Sequence, residues 1–254
     1  MKTFLTRLLS GLSLMLAMAP GWADTTALPP LFEAEYTLYS KGFKVATIKR
    51  LFKQQANGQY LYESYSETKG VLALFRDDEV IERSHWRLTD SGYEPLEYVY
   101  QHTGSKKNRN VHINFDWADN EVRMRVDNDN WEMALEPGTL DKMLYQLAMM
   151  RDLGNGISDI RYRVADGGKI KSYNFEIFGR EPVETPYGNF EALKVERFRD
   201  DRERETLLWC VEKLGYLPVK IVHIEPDGLK TTAVLESYNR LDSDDSAVRI
   251  KNGQ

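Results

Sequence analysis

The 254-residue chain has a single cysteine, Cys210, and only four histidines. One cysteine cannot form an internal disulfide, and free cysteine is among the most often buried residue types, so we expect a buried, inert thiol. His102 and His112 flank one loop, but a zinc site needs roughly three or four ligands. We therefore predict no metal site and no cofactor, and a fold that is stabilised by packing alone.

An excess of basic residues is also absent, since 34 lysines and arginines face 39 aspartates and glutamates. A nucleic-acid-binding surface requires clustered basic residues, so we predict no nucleic-acid partner. The chain has no nucleophile-elbow motif, no Cys-x-x-Cys and no helical histidine pair. These absences favour a non-catalytic protein, with no catalytic residue assigned.

Long apolar runs are missing from most of the chain, and the one present lies near its start. Two basic residues precede an apolar stretch over residues 8–19, and Gly21-Trp22-Ala23 offers small residues to a signal peptidase. The stretch is shorter than the roughly 20 residues of a membrane-spanning helix. We predict a signal peptide over residues 1–23, cleaved after Ala23, and export to the periplasm. The mature chain is expected to have no transmembrane segment and no lipid anchor.

Alternation of apolar and polar residues with a period of two dominates the chain after residue 30. Val111, Ile113 and Phe115 alternate with polar residues, and the turn signal Asp119-Asn120 follows, which predicts an antiparallel hairpin. Recurring turn signals of this kind are typical of all-β sandwiches and barrels. Further strands are predicted at residues 32–38, 43–53, 59–67, 79–88, 94–103, 160–164, 173–177, 191–198, 204–211, 217–225 and 230–239.

One segment has helical spacing instead. Its apolar residues recur every three or four positions, with Thr139 as the expected N-cap and Gly154 as the stop, which predicts an amphipathic helix near 140–152. We therefore predict a mainly β fold: an antiparallel, half-open, β-spiral-like barrel with this one helix inserted. A single β-rich domain is expected over residues 24–240, followed by a disordered polar tail over 241–254.

The second half of the chain carries a recognisable series of motifs. Residues 185–195 read Thr-Pro-Tyr-Gly-Asn-Phe-Glu-Ala-Leu-Lys-Val, and Thr206-Leu207-Leu208-Trp209 and Gly215-Tyr216-Leu217-Pro218 follow. This pattern resembles the exported bacterial family known as domain of unknown function 3108, as does Asp141 at the start of the helix. The resemblance implies export but no reaction and no catalytic residue. The implied architecture is similar to that of periplasmic lipoprotein carriers and β-spiral envelope proteins, which is an analogy of fold only.

Half-open barrels often enclose an apolar cavity, and flexible methionines with alternating tyrosines suit its lining. The candidate lining residues are Met143, Leu147, Met150, Tyr98 and Tyr100. Two alternatives stay open: the methionines fill a core, and the tyrosines form cross-strand pairs that only stabilise the sheet.

The function that these patterns favour is a periplasmic, non-catalytic protein that binds a lipid or another apolar envelope ligand. Two other functions stay open, an envelope scaffold module without a cavity and a glycan- or peptide-acting enzyme. The sequence does not indicate an oligomeric state.

Overall fold

The computed structural model describes residues 28–70, 73, 77–104, 108–199 and 204–242. The predicted signal peptide over residues 1–23 lies outside the described residues, as does nearly all of the predicted tail.

The described residues form fifteen strands and one α-helix. The first eight strands are β1 (Phe32–Ser40), β2 (Phe43–Gln54), β3 (Tyr60–Thr68), β4 (Glu79–Thr89), β5 (Gly92–Thr103), β6 (Arg109–Asp116), β7 (Glu121–Val126) and β8 (Asp129–Ala134). The remaining elements are β9 (Thr139–Asp141), α1 (Leu144–Gly154), β10 (Arg161–Ala165), β11 (Ile170–Thr185), β12 (Gly188–Arg199), β13 (Glu205–Val211), β14 (Leu217–Ile224) and β15 (Lys230–Arg240).

All fifteen strands belong to one sheet in the order β8-β7-β6-β5-β4-β3-β2-β1-β15-β14-β13-β12-β11-β10-β9. The two halves of the chain join where β1 pairs antiparallel with β15. Every neighbouring pair is antiparallel except β9 and β10, which are parallel. The prediction of a mainly β, antiparallel and half-open fold with one helix is confirmed, because β8 and β9 end the sheet without pairing with each other.

The helix begins later than the sequence pattern predicted. It spans Leu144–Gly154 rather than 140–152, because Thr139–Asp141 form β9 beside β10. The prediction of Thr139 as the N-cap is therefore wrong. The side chain that caps the N-terminus of the helix is Asp141. Its Oδ1 accepts hydrogen bonds from the backbone N–H groups of Met143 and Leu144, both at 2.8 Å.

The sheet has two ends along the direction of its strands, which we call the helix end and the open end. The helix end carries the turns at residues 55–59 and 89–92, and the open end carries those at 41–42 and 225–229. The helix runs along the inner face towards the helix end, where the Arg151 guanidinium lies 4.5 Å from the centroid of the Tyr93 ring. Trp86 lies there between Tyr60, on which it is stacked, and Tyr93, to which it is tilted, with both centroid distances 4.6 Å. Tyr60, Trp86 and Tyr93 therefore form cross-strand packing at the helix end.

The free edge β8 packs against the opposite half of the sheet through a close contact. Gly168 lies in the turn between β10 and β11 with φ +81°, and a Cβ placed on it would lie 2.7 Å from the Trp131 ring of β8. The adjacent Gly167 has φ +60°, but a Cβ there would meet only the flexible Arg109 guanidinium at 3.5 Å. Gly168 thus allows the two halves to meet.

We predict that Gly168→Ala destabilises the protein by about 1–3 kcal/mol more than Gly167→Ala, since only the first forces Trp131 to move. The two variants share the cost of a left-handed backbone, so their difference isolates the contact. Urea unfolding followed by circular dichroism measures both. Equal losses in the two variants would contradict the contact.

Candidate functional site

A row of polar residues crosses the inner face of β2–β5. Arg50, Ser64, Glu82 and Tyr100 lie directly opposite one another on these four strands. Cross-strand neighbours on one face lie about 4.5–5.5 Å apart, so the row is continuous. The Tyr98 hydroxyl, from the next row, donates a hydrogen bond of 2.8 Å to Glu82.

Arg50 is directed from this row to the first turn of the helix. Its Nη1 donates to the Gln146 side-chain oxygen at 2.8 Å and to the Tyr62 hydroxyl at 3.4 Å. The guanidinium carbon lies 5.2 Å from the centroid of the Tyr36 ring. The Nε group is buried and has no hydrogen-bond partner among the described residues.

A second polar row lies across the helix, on β12–β14. Arg197, Thr206 and His223 are directly opposite one another there. Arg197 is 9% exposed, donates from Nη2 to the Thr206 hydroxyl at 2.7 Å, and packs on the Tyr173 ring at 4.5 Å. Its Nε is also buried without a partner in the described part of the chain. Tyr145 of the helix lies between the two rows, with its ring centroid 5.5 Å from the Arg197 guanidinium carbon.

Lys142 adds a third cation beside the same turn of the helix. Its Nζ lies 5.6 Å from the centroid of the Tyr100 ring. Burial lowers the pKa of Lys142, but the charges of Glu82 and Asp166 outweigh it and leave that pKa raised. Asp166 is itself held by Lys171 at 2.7 Å. We refer to Arg50, Lys142 and Arg197 as the cation cluster.

Exposure changes along the inner face of the sheet. Beside the helix, Phe52 of β2 and Trp86 of β4 are fully buried. Towards the open end of the same strands, Ile48 and Val80 are only partly buried. The same holds for their neighbours, and we name the whole group the open inner face: Leu38, Ile48, Ser66, Val80, Tyr100 and Ile221.

The predicted cavity-lining residues lie on both sides of this boundary. Met143, Leu147, Met150 and Tyr98 are at most 2% exposed and belong to the core around the helix. Tyr100 is partly exposed and lies on the open inner face. Sequence reasoning missed Arg50, Lys142 and Arg197, although a charged residue at an otherwise apolar alternating position was a usable signal.

The other candidate groups have structural roles. Cys210 is fully buried, as predicted, and burial raises the pKa of its thiol. His102 lies 3.7 Å from Asp78 and His112 lies 2.7 Å from Glu97, on opposite faces of the sheet, so the two histidines do not converge. No group of three or more potential metal-ligating side chains occurs within the described ranges.

Asp141 connects the helix to the sheet. Its Oδ2 accepts a hydrogen bond of 2.5 Å from the Ser84 hydroxyl of β4, while its Oδ1 holds the first turn of the helix. Burial raises the pKa of Asp141 to about 6, and these hydrogen bonds limit the rise. This carboxylate therefore positions Lys142 and Gln146 beside the two polar rows.

The fold and the site define an open antiparallel sheet wrapped around a single helix, with a cation cluster at the start of that helix. The chain belongs to the family described as Protein of unknown function (DUF3108), which matches residues 35–234 and confirms the resemblance seen in the sequence. No curated protein matches the chain.

The chain resembles solved structures to different degrees. The β-barrel-like protein of domain of unknown function DUF1849 from Brucella abortus is 7% identical, with a TM-score of 0.57 over 85% of this chain and 100% of that one. A provisionally assigned exported protein with a YmcC-like fold from Bacteroides fragilis is 10% identical over 84% of this chain and 100% of that one, with a TM-score of 0.33. The first likeness supports the fold alone, and the second is too weak to carry an argument.

Among the described residues, the one α-helix is too short to cross a membrane, and no other helix is long and apolar enough to do so.

We predict that Asp141→Ala lowers the free energy of unfolding by about 1–2 kcal/mol, because the first helical turn loses its acceptor. Asp141→Asn keeps an acceptor of the same shape and is expected to be tolerated. Chemical denaturation at pH 7 measures both changes. A loss in the asparagine variant as large as that in the alanine variant would contradict the capping role.

The raised pKa of Asp141 also predicts a pH dependence. The folded-state pKa of about 6 lies above the ordinary 3.8, so this group's stabilisation is complete below pH 3.8 and is lost as the pH rises through 6. Between pH 7 and pH 5 we expect the wild type to gain about 1 kcal/mol relative to Asp141→Asn. Parallel pH profiles for the two proteins would show that Asp141 does not titrate as described.

Proposed function

We propose that this is an exported, periplasmic, non-catalytic protein that binds a lipid or another amphipathic envelope ligand on its open inner face. The observation that carries the proposal is the change in exposure along single strands, from buried Phe52 to partly exposed Ile48 on β2. Among the described residues this apolar inner wall is only partly covered, and exposed apolar surface of this kind marks ligand-binding grooves.

The chemistry of the surface suits an amphipathic molecule. The aliphatic wall consists of Leu38, Ile48 and Val80. The polar row at Arg50 borders this wall on the side of the helix end. An acyl chain would gain roughly 0.8 kcal/mol for each CH₂ group that it buries there. Tyr100, predicted from the sequence as lining, lies on this border with one side partly exposed.

The remaining predicted lining residues form the layer beneath the proposed site. Met143 and Met150 belong to the buried core around the helix and are at most 2% exposed. Flexible thioether side chains can repack around a ligand at small cost, so they remain proposed lining. Periplasmic location is proposed from the signal-peptide pattern of the sequence.

The test is to extract the purified, exported protein with organic solvent and identify bound lipids by mass spectrometry. We expect an amphipathic lipid in the wild type and at least a severalfold loss in Ile48→Asn, which makes the inner wall polar. The matched control is Leu51→Asn, an equal change on the outer face of the same strand, and it should retain the lipid. A ligand-free wild type, or equal losses in both variants, would overturn the proposal.

A second function has an observation of its own. The edge strand β8 borders an outer groove of about 440 Å³ whose lining includes Arg123, Arg125 and Glu132. An exposed edge strand can accept an extended segment of another protein, as a scaffold module would. Photo-crosslinking from position 132 in the periplasm would then capture a partner protein, whereas the lipid-binding function predicts none at that position.

A further inference from the structure

The cation cluster points to the kind of head group that the ligand carries. Resting on the proposed function, we infer that the ligand of the open inner face is an anionic amphiphile whose acidic group binds between Arg50 and Arg197. The inference starts from two guanidinium groups on opposite halves of the sheet that face the same turn of the helix, each with a buried Nε.

Neither arginine has a carboxylate partner among the described residues. The hydrogen-bond acceptors of Arg50 are the neutral Gln146 and Tyr62, and those of Arg197 are the neutral Thr206 and Tyr173. Each also leaves a buried Nε without an acceptor. Buried charges are normally paired, because removing an ion from water costs several kcal/mol. Two such groups in one place therefore require an explanation.

The nearby carboxylates are occupied by other donors. Glu82 receives the Tyr98 hydroxyl, Asp141 receives Ser84 and the helix N–H groups, and Asp166 holds Lys171. Four cations face three carboxylates here, which leaves a net charge of +1. The cations are Arg50, Lys142, Arg197 and Lys171, and the carboxylates are Glu82, Asp141 and Asp166.

Aromatic rings stabilise both arginines but do not complete their hydrogen bonding. Tyr36 packs on Arg50 at 5.2 Å, and Tyr173 and Tyr145 pack on Arg197 at 4.5 and 5.5 Å. A ring face attracts a cation and keeps the guanidinium planes in place. It offers no lone pair to an Nε–H, so the rings position the donors while leaving them available to an anion.

The apolar wall next to the cluster indicates that the rest of the ligand is an apolar chain. Ile48 lies two residues from Arg50 on the inner face of β2, on the side of the open end. A ligand with its acidic group at the cluster would therefore lay an acyl chain along Leu38, Ile48 and Val80. A fatty-acid carboxylate and a lipid phosphate share this chemistry.

The experiment is isothermal titration calorimetry of the full mature chain with three single-chain probes below their micellar concentrations. Palmitate carries a carboxylate, palmitoyl-lysophosphatidylglycerol carries an anionic phosphate, and palmitoyl-lysophosphatidylcholine has no net charge. We expect at least one anionic probe to bind about tenfold or more tightly than the choline probe. The stronger of the two anionic probes identifies the source of the acidic group.

Two variants separate recognition from folding. Gln146→Glu places a carboxylate 2.8 Å from the Arg50 Nη1 position, so it supplies an internal counterion. It should stabilise the ligand-free protein and weaken the anionic probe about tenfold. Arg50→Gln should weaken that probe similarly. Arg123→Gln, an outer-face control with a 54% exposed side chain, should change nothing.

The outcomes distinguish the anionic head group of the ligand from the apolar site itself. Equal binding of all three probes, unaffected by Gln146→Glu, would overturn the anionic head group while leaving the apolar site standing. No binding of any probe would overturn both. Preference for an anion that Arg123→Gln abolishes and Arg50→Gln does not would move the anion to the outer face and overturn the assignment.

Discussion

One short helix must cover the apolar face of a very large sheet, and the rest of the structure depends on this constraint. The helix spans Leu144–Gly154, whereas the sheet has fifteen strands. A helix of this length extends about 16 Å, so it covers only part of such a face. The protein places it at one end, where Trp86 and Phe52 are buried, and leaves Ile48 at the other end partly exposed. The contrast between the buried helix end and the partly exposed open end follows from this placement.

The position of the helix is fixed at its first turn. Asp141 joins that turn to Ser84 of the sheet, and the same turn brings Gln146 to Arg50 and Tyr145 to Arg197. Buried carboxylates and guanidiniums are costly, so their concentration at the boundary between the helix end and the open end is informative. One carboxylate positions the helix here, whereas each arginine beside it keeps an Nε donor without a partner in the described part of the chain.

Most of the fold could be predicted from the sequence because period-two alternation reports directly on one buried face. Most of the strands predicted from Val111 onwards begin and end within three residues of the observed bounds, but β11 runs to Thr185, eight residues past the predicted 173–177. The pattern failed at Thr139–Asp141, where three buried residues fit a helix as well as a strand and only pairing with β10 decides between them. The edge strand β8 was also missed, although Trp131 and Met133 alternate with the exposed Asn130 and Glu132. Arg50 could have been noticed as a charged residue at an apolar alternating position, but its convergence with Lys142 and Arg197 could not be predicted, because the three come from separated parts of the chain and meet only through the register of the sheet.

The central claim is that the open inner face binds an amphipathic ligand, and methyl-resolved NMR during a titration with palmitoyl-lysophosphatidylglycerol tests it most directly. The account predicts large chemical-shift changes for the methyl groups of Ile48 and Val80, with those of Val99 on the outer face of the sheet unchanged. Shifts confined to Val99 and its outer-face neighbours, or no shift at Ile48 and Val80 at saturating lipid, would contradict it.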